Sequence, residues 1–406
     1  MGVYDFVVGI GVGILLAFVH LVVQTARVPA VRAAYSGETL TSTVRRNHSH
    51  SQYLHQVGRQ IFIVKLSGYL FFGTIVSVEE RVRNLIDEAS FTKRPIRFLI
   101  IDLWHVTGVD YSAGEAFNRI SRILDKKGII LILSGVENGG QLSQTLRAVG
   151  VGRDGVEVML LPDLNSALES CENELLKTYY ASQDALINTP PGRAADPVPA
   201  ARTSVARTPP QATPLAAAGP SLLEIPTGSP RGALLREAAQ RAITDAEAAH
   251  HHPRWQSFRE PLRLMLQIFQ GLSDENEDFW FRAAPFFARR SHPAGTVLFR
   301  MGEEARGFYL VESGVLREEY DLPQGWLCES IVAGTTFGEL PFFSETRRTA
   351  TVTVERDCIV WYLGEEAWGR MQKEERDVAW ELLRVSLKLT SEHMGLVTSY
   401  ILSIAG

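Results

Sequence analysis

Phe337-Gly-Glu-Leu-Pro-Phe-Phe-Ser-Glu-Thr-Arg-Arg-Thr-Ala-Thr-Val352 carries more specific chemistry than any other stretch of the chain. Gly338 and Glu339 follow a turn, and the short apolar run 340–343 has the form of a brief helix whose first backbone N–H groups stand ready for an anion. Arg348 offers a planar cationic fork to the same anion, which leaves Glu339 to accept from a sugar hydroxyl. Outward from this stretch the sequence repeats one punctuation. Gly295-Thr-Val-Leu-Phe, Gly302-Glu303 and Phe308-Tyr-Leu-Val-Glu-Ser-Gly314 are strand-like runs between glycine turns, as in a β-roll.

Over residues 286–360 these features resemble a cyclic nucleotide-binding domain, whose phosphate-binding cassette reads Gly-Glu-Leu-Ala, a short spacer, then Arg and two small residues. The resemblance implies a mainly-β roll of the double-stranded β-helix or jelly-roll kind, with flanking helices, over 254–406. It also implies cAMP or cGMP as regulatory ligand. Gly338 would contribute backbone, Glu339 the ribose 2′-hydroxyl contact and Arg348 the cyclic phosphate contact, with Leu340 completing the Gly-Glu-Leu match. Thr349 would place a hydroxyl where some members favour guanine. Pro341 departs from the pattern, standing where the family has an alanine whose N–H points at the phosphate. Two readings follow: a ligand site with one donor fewer, or a roll kept as a docking module.

The 406 residues suffice for two or three domains, and the 45% hydrophobic fraction is ordinary for folded protein. A formal net charge of −5 argues against a nucleic-acid binder. Cys171, Cys328 and Cys358 are far apart with no metal-type spacing, which suits a reducing compartment.

Residues 6–23 are apolar except for His20 and just long enough to cross a bilayer. Asp5 is the one charge before the run, whereas Arg27, Arg32, Arg45 and Arg46 follow it. A transmembrane helix over 5–24 is therefore expected, making an integral membrane protein with its domains facing the cytoplasm; plasma and vacuolar membranes fit equally.

Between 53 and 178, strand runs at 60–66, 68–73, 98–103, 129–133 and 156–161 alternate with helical segments at 74–89, 112–126, 140–149 and 163–178. A mixed sheet covered by helices is expected. Where strand 98–103 ends, Asp110-Tyr-Ser112 opens a helix. This arrangement resembles the STAS domain of bacterial anti-sigma factor antagonists and of the tails of SulP-type anion transporters. The resemblance implies that Ser112 is a phosphorylation site and that the helix it starts is a contact surface for a protein partner. The residues alone read first as helix N-capping, which explains both Asp110 and Ser112 without any regulation.

Residues 182–230 are rich in Pro, Ala and Thr and read as a disordered linker. His250-His251-His252 reads as a polar helix end, not a metal site. Near the C-terminus, Val378, Leu382, Val385 and Leu389 form an apolar stripe, the lid of the resembled family or a simple cover for the roll.

A membrane helix, STAS and a cyclic nucleotide-binding domain in this order resemble the C-terminal region of a fungal SulP sulfate permease. That implies a cytoplasmic regulatory region, a fragment lacking most of the transport core, whose partners are the membrane, the rest of the transporter and other copies in a homo-oligomer. The alternative is a membrane-tethered signalling adaptor. No nucleophile elbow, metal cluster or phosphate-binding P-loop marks an enzyme, and acidic pairs such as Glu318-Glu319 read as solvated faces.

Overall fold

Phe98-Leu-Ile-Ile is apolar without alternation, the mark of a strand covered on both faces, and it lies inside a parallel sheet. The computed structural model describes residues 2–26, 29–87, 95–137, 139–152, 158–187, 235, 237–241, 258–323 and 325–405. The elements run α1 (Gly2–Ala26), β1 (Val31–Ser36), α2 (His48–Val57), β2 (Ile61–Leu70), α3 (Phe72–Leu85), β3 (Phe98–Val109) and α4 (Tyr111–Lys126). They continue with β4 (Ile130–Ser134), α5 (Gln141–Ala148), β5 (Val158–Leu160), α6 (Leu164–Ile187), α7 (Leu262–Phe269), α8 (Glu277–Phe281), β6 (Ala288–His292) and β7 (Val297–Phe299). The last are β8 (Gly307–Leu322), β9 (Gly325–Val332), β10 (Thr336–Phe337), α9 (Glu339–Phe343), β11 (Thr351–Gly364), α10 (Glu365–Glu374) and α11 (Arg376–Ala405).

The chain divides into two compact units: Met1–Leu40 with Gly58–Cys171, and Thr41–Val57 with Glu172–Ala405. In the first, a five-stranded sheet runs β1-β2-β3-β4-β5, with β1 antiparallel to β2 and the remaining pairs parallel. Ala113, Ala116, Phe117, Ile120 and Leu124 give α4 a helical stripe that packs into the same core as Leu99 and Ile101 of β3 and Val78 and Val82 of α3. The first expected run, 60–66, and the start of the second, 68–70, are one strand, because Gly68 takes a positive φ of 80° inside a bulged ladder to β3 and makes no turn, while Phe72 and Gly73 already open α3. Lys65 of β2 is buried with Asp102 of β3 at 3.7 Å, and Ser134 donates to the same carboxylate at 3.0 Å. Burial lowers the Lys65 pKa, against the pull of Asp102.

The second unit holds a six-stranded sheet in the order β10-β8-β11-β6, with β7 on β11 and β9 on β8. Phe299, Tyr309, Val311, Leu316, Phe337, Val352 and Val360 fill its interior. A second cluster joins α7 and Trp280 to Phe308, Phe342 and the stripe of α11, in which Val378, Leu382 and Val385 are fully buried.

Two expectations are overturned. The run at 6–23 does form a helix, α1, yet among the described residues no helix is long and apolar enough to cross a membrane. Within α1 the apolar stretch carries Gly9, Gly11, Gly13 and His20. The transmembrane helix over 5–24 is therefore corrected to a helix that does not meet the requirements of a span, and the integral-membrane localisation with cytoplasmic domains falls with it. Of the expected linker 182–230, residues 182–187 continue α6 and the rest lies outside the described residues, as does His250-His251-His252.

Candidate ligand pocket of the second unit

The cassette is placed by one backbone reversal. Gly338 ends β10 at φ 77° and is the N-cap residue of α9. A Cβ there would meet Arg348 Nη1 at 2.5 Å, so both the left-handed backbone and the close approach require glycine. Arg348 is 4% exposed. It donates from Nη1 to the Gly338 carbonyl at 3.0 Å and from Nη2 to the Gly307 carbonyl at 2.5 Å. Its guanidinium carbon sits 4.0 Å from the centroid of the Phe299 ring. Nε is buried without a hydrogen-bond partner, and among the described residues no carboxylate forms an ion pair with this guanidinium. Burial lowers its pKa. Among the described residues this buried cation is held by carbonyls and a ring, with Glu318 and Glu339 acting on it at longer range.

Glu339 is buried at the start of α9, with Oε2 unpartnered and Oε1 3.6 Å from Nη1 of Arg45. The same Arg45 guanidinium lies 2.8 Å from Glu318 Oε2 and 3.7 Å from Glu329 Oε2. His393 Nε2 approaches Glu329 Oε2 at 3.1 Å and Arg45 Nη2 at 3.2 Å. Burial acts to lower the Arg45 pKa, but Glu318, Glu339 and Glu329 together leave it raised. For Glu318, burial raises the pKa against the pull of Arg45.

These groups border a cavity of about 250 Å³. Leu322, Leu327, Met394 and Val397 give it an apolar wall, and Thr390 and Ile401 of α11 also line it. Gly338, Glu339, Leu340, Arg348 and Thr349 are all brought to this one cavity, together with Pro341. Pro341 is the third residue of α9, where its missing N–H costs the helix nothing. Ser112 lies in the other unit, exposed in the first turn of α4, and the cap of that helix is Asp110, whose Oδ1 accepts from the Ala113 N–H at 2.7 Å.

Arg45, Glu318, Glu329 and His393 were not legible as site residues. Glu318, read as part of a solvated acidic pair, faces inward and is 4% exposed, while its neighbour Glu319 pairs with Arg317 at 2.9 Å. Strand alternation carried the signal, since Leu316, Glu318 and Tyr320 share one face of β8.

The family model described as cyclic nucleotide-binding domain matches residues 289–375, and that described as STAS domain matches 54–158. The chain thus contains a STAS domain followed by a cyclic nucleotide-binding domain. Among known proteins it is similar to a vacuolar basic amino acid transporter, VSB1, of Saccharomyces cerevisiae, with 31% identity over 92% of this chain and 38% of that protein. The chain therefore spans less than two-fifths of that relative's length. An uncharacterised NTE family protein of Mycobacterium bovis is 32% identical over 25% of this chain and 17% of its own length. A solved cyclic nucleotide-binding domain from Methylobacillus flagellatus is similar at 16% identity over 37% of this chain and 93% of that chain, with a TM-score of 0.32.

Proposed function

We propose that the chain is the ligand-sensing regulatory portion of a longer solute transporter of the SulP kind, acting by binding and not by catalysis. In this reading a cyclic nucleotide enters the cavity with its phosphate on Arg348 and its ribose on Glu339. The observation that carries the ligand is Arg348, a buried guanidinium with no ion-paired carboxylate among the described residues, beside Gly338 in a cavity of about 250 Å³. The transporter reading rests on similarity to the yeast protein over 92% of the chain. That relative's name favours a basic amino acid as cargo over the sulfate expected from the sequence.

Two measurements test this. Titration calorimetry of the full chain with cAMP and cGMP is expected to show saturable binding that Arg348→Ala removes; no heat from either nucleotide at millimolar concentration ends the ligand reading. Replacing the matching part of the yeast relative with this chain is expected to preserve basic amino acid uptake into isolated vacuoles. Loss of uptake with normal protein levels ends the transporter reading.

The second reading, a signalling adaptor, is favoured by the start of α4, where Tyr111 is 69% exposed beside the exposed Ser112.

A further inference from the structure

The carboxylate that a ribose would need already faces a cation of the chain itself. Arg45 reaches Glu339 from residues 41–47, a segment lying before α2 and remote in sequence from the roll. Its backbone N–H donates to the Ser330 carbonyl at 3.0 Å, and its bridge to Ile331 is isolated, so no extended ladder holds the segment on β9. Beyond the cavity the segment is tethered. Arg46 pairs with Glu172 at 3.1 Å, and the Ser42 N–H donates to the same carboxylate at 2.7 Å.

We propose that Arg45 is an exchangeable resident of the nucleotide cavity: its guanidinium fills the ribose end, and nucleotide entry expels it together with residues 41–47. This rests on the cyclic nucleotide reading of the pocket. Three features support it. The contact to Glu339 is loose, 3.6 Å against 2.8 Å to Glu318, and Glu339 Oε2 is left without a hydrogen-bond partner, an acceptor that an incoming donor can use. The remaining free space is walled by Leu322, Leu327, Met394 and Val397, the surface a base would use. Arg348, the phosphate end, makes no ion pair with Arg45's carboxylate partners among the described residues, Glu318 and Glu339 acting on it only at longer range. Tethering by Glu172 keeps the resident at high local concentration, so the intact chain's nucleotide affinity is lowered by the fraction of molecules in which the segment is seated. Linkage then runs both ways: whatever frees 41–47 tightens nucleotide binding, and nucleotide loosens 41–47.

The test uses the full chain and a paired variant, Arg45→Ala with Glu318→Gln, which removes one positive and one negative charge from the cavity. The paired variant is expected to bind cAMP or cGMP about tenfold tighter or more by calorimetry. In the unsubstituted chain, saturating nucleotide is expected to speed amide hydrogen exchange across 41–47 by about tenfold or more. The exchange measurement needs no substitution, so the idea remains testable if the variant does not fold. Nucleotide binding that leaves exchange at 41–47 unchanged, or a folded variant that binds no tighter, overturns the resident role and leaves the nucleotide reading standing. Silence of both proteins toward both nucleotides at millimolar concentration overturns the two together.

Discussion

The guanidinium carbon of Arg348 lies 4.0 Å from the centroid of the Phe299 ring, a stack that fixes the fork while its Nη atoms hold the Gly338 and Gly307 carbonyls. A lysine retains the charge but neither the plane nor the paired donors. Arg348→Ala is therefore expected to abolish cyclic nucleotide binding, and Arg348→Lys to weaken it by about tenfold or more, both read by calorimetry. Equal affinity of the lysine variant would mean that only charge matters at this position.

Pro341→Ala should strengthen binding. The proline sits in the first turn of α9 with no N–H to offer, and its own carbonyl accepts from Thr346 at 3.0 Å, a bond that alanine keeps. One restored donor to a charged phosphate is worth about 1.5–3 kcal/mol, more than tenfold in Kd. An unchanged Kd would show that this N–H does not face the ligand.

The two halves of the Asp110-Tyr-Ser112 motif should separate by stability. Asp110→Ala removes the cap on Ala113 and is expected to cost about 0.5–2 kcal/mol in urea unfolding. Ser112→Ala, at an exposed position, should stay within about 0.5 kcal/mol. A large loss at Ser112 would transfer the capping role to it.

His50 should make the second unit acid-sensitive. Its ring packs edge-on to Tyr179 and Tyr180, each centroid at 5.3 Å. Burial first, and the Arg46 guanidinium second, hold its pKa down at about 3, below the ordinary 6.5. The unfolded chain then takes up the proton first as pH falls. The stabilising contribution is complete above about pH 6.5 and is lost on the way down to about pH 3, at up to about 1.4 kcal/mol per pH unit. His50→Phe is expected to flatten the urea midpoint between pH 6.5 and 4; an unaltered slope would place the acid sensitivity elsewhere.

What the sequence discloses here follows how local each feature is. Gly338, Glu339 and Arg348 sit within one short cassette, so their spacing alone brings them together. The stripe of Val378, Leu382 and Val385 is local for the same reason, and all are buried. Arg45 is the opposite case. Its Nη1 donates to the Thr336 carbonyl at 3.4 Å across 291 residues of sequence, a contact that no window of residues can contain. The second half of β3 was hidden differently: Ser67–Leu70 pairing carries the strand through His105, Val106, Gly108 and Val109, a segment whose mixed polarity reads as loop until its partner is known.

Strand β1 has a bearing on how the first unit behaves as an isolated piece of protein. It pairs antiparallel with β2 from Val31↔Leu66 to Ser36↔Phe62 and so occupies one margin of the sheet. The opposite margin is β5, with only Val158, Met159 and Leu160 in the ladder. A piece cut at residue 54, where the STAS match begins, would strip β1 away and leave the long outer row of β2 amides and carbonyls open. Open rows of that kind recruit strands from other molecules. The residues ahead of the conserved-domain boundary thus act as a built-in guard against self-association, and a preparation that omits them is a candidate for inclusion bodies where one beginning before Val31 is not.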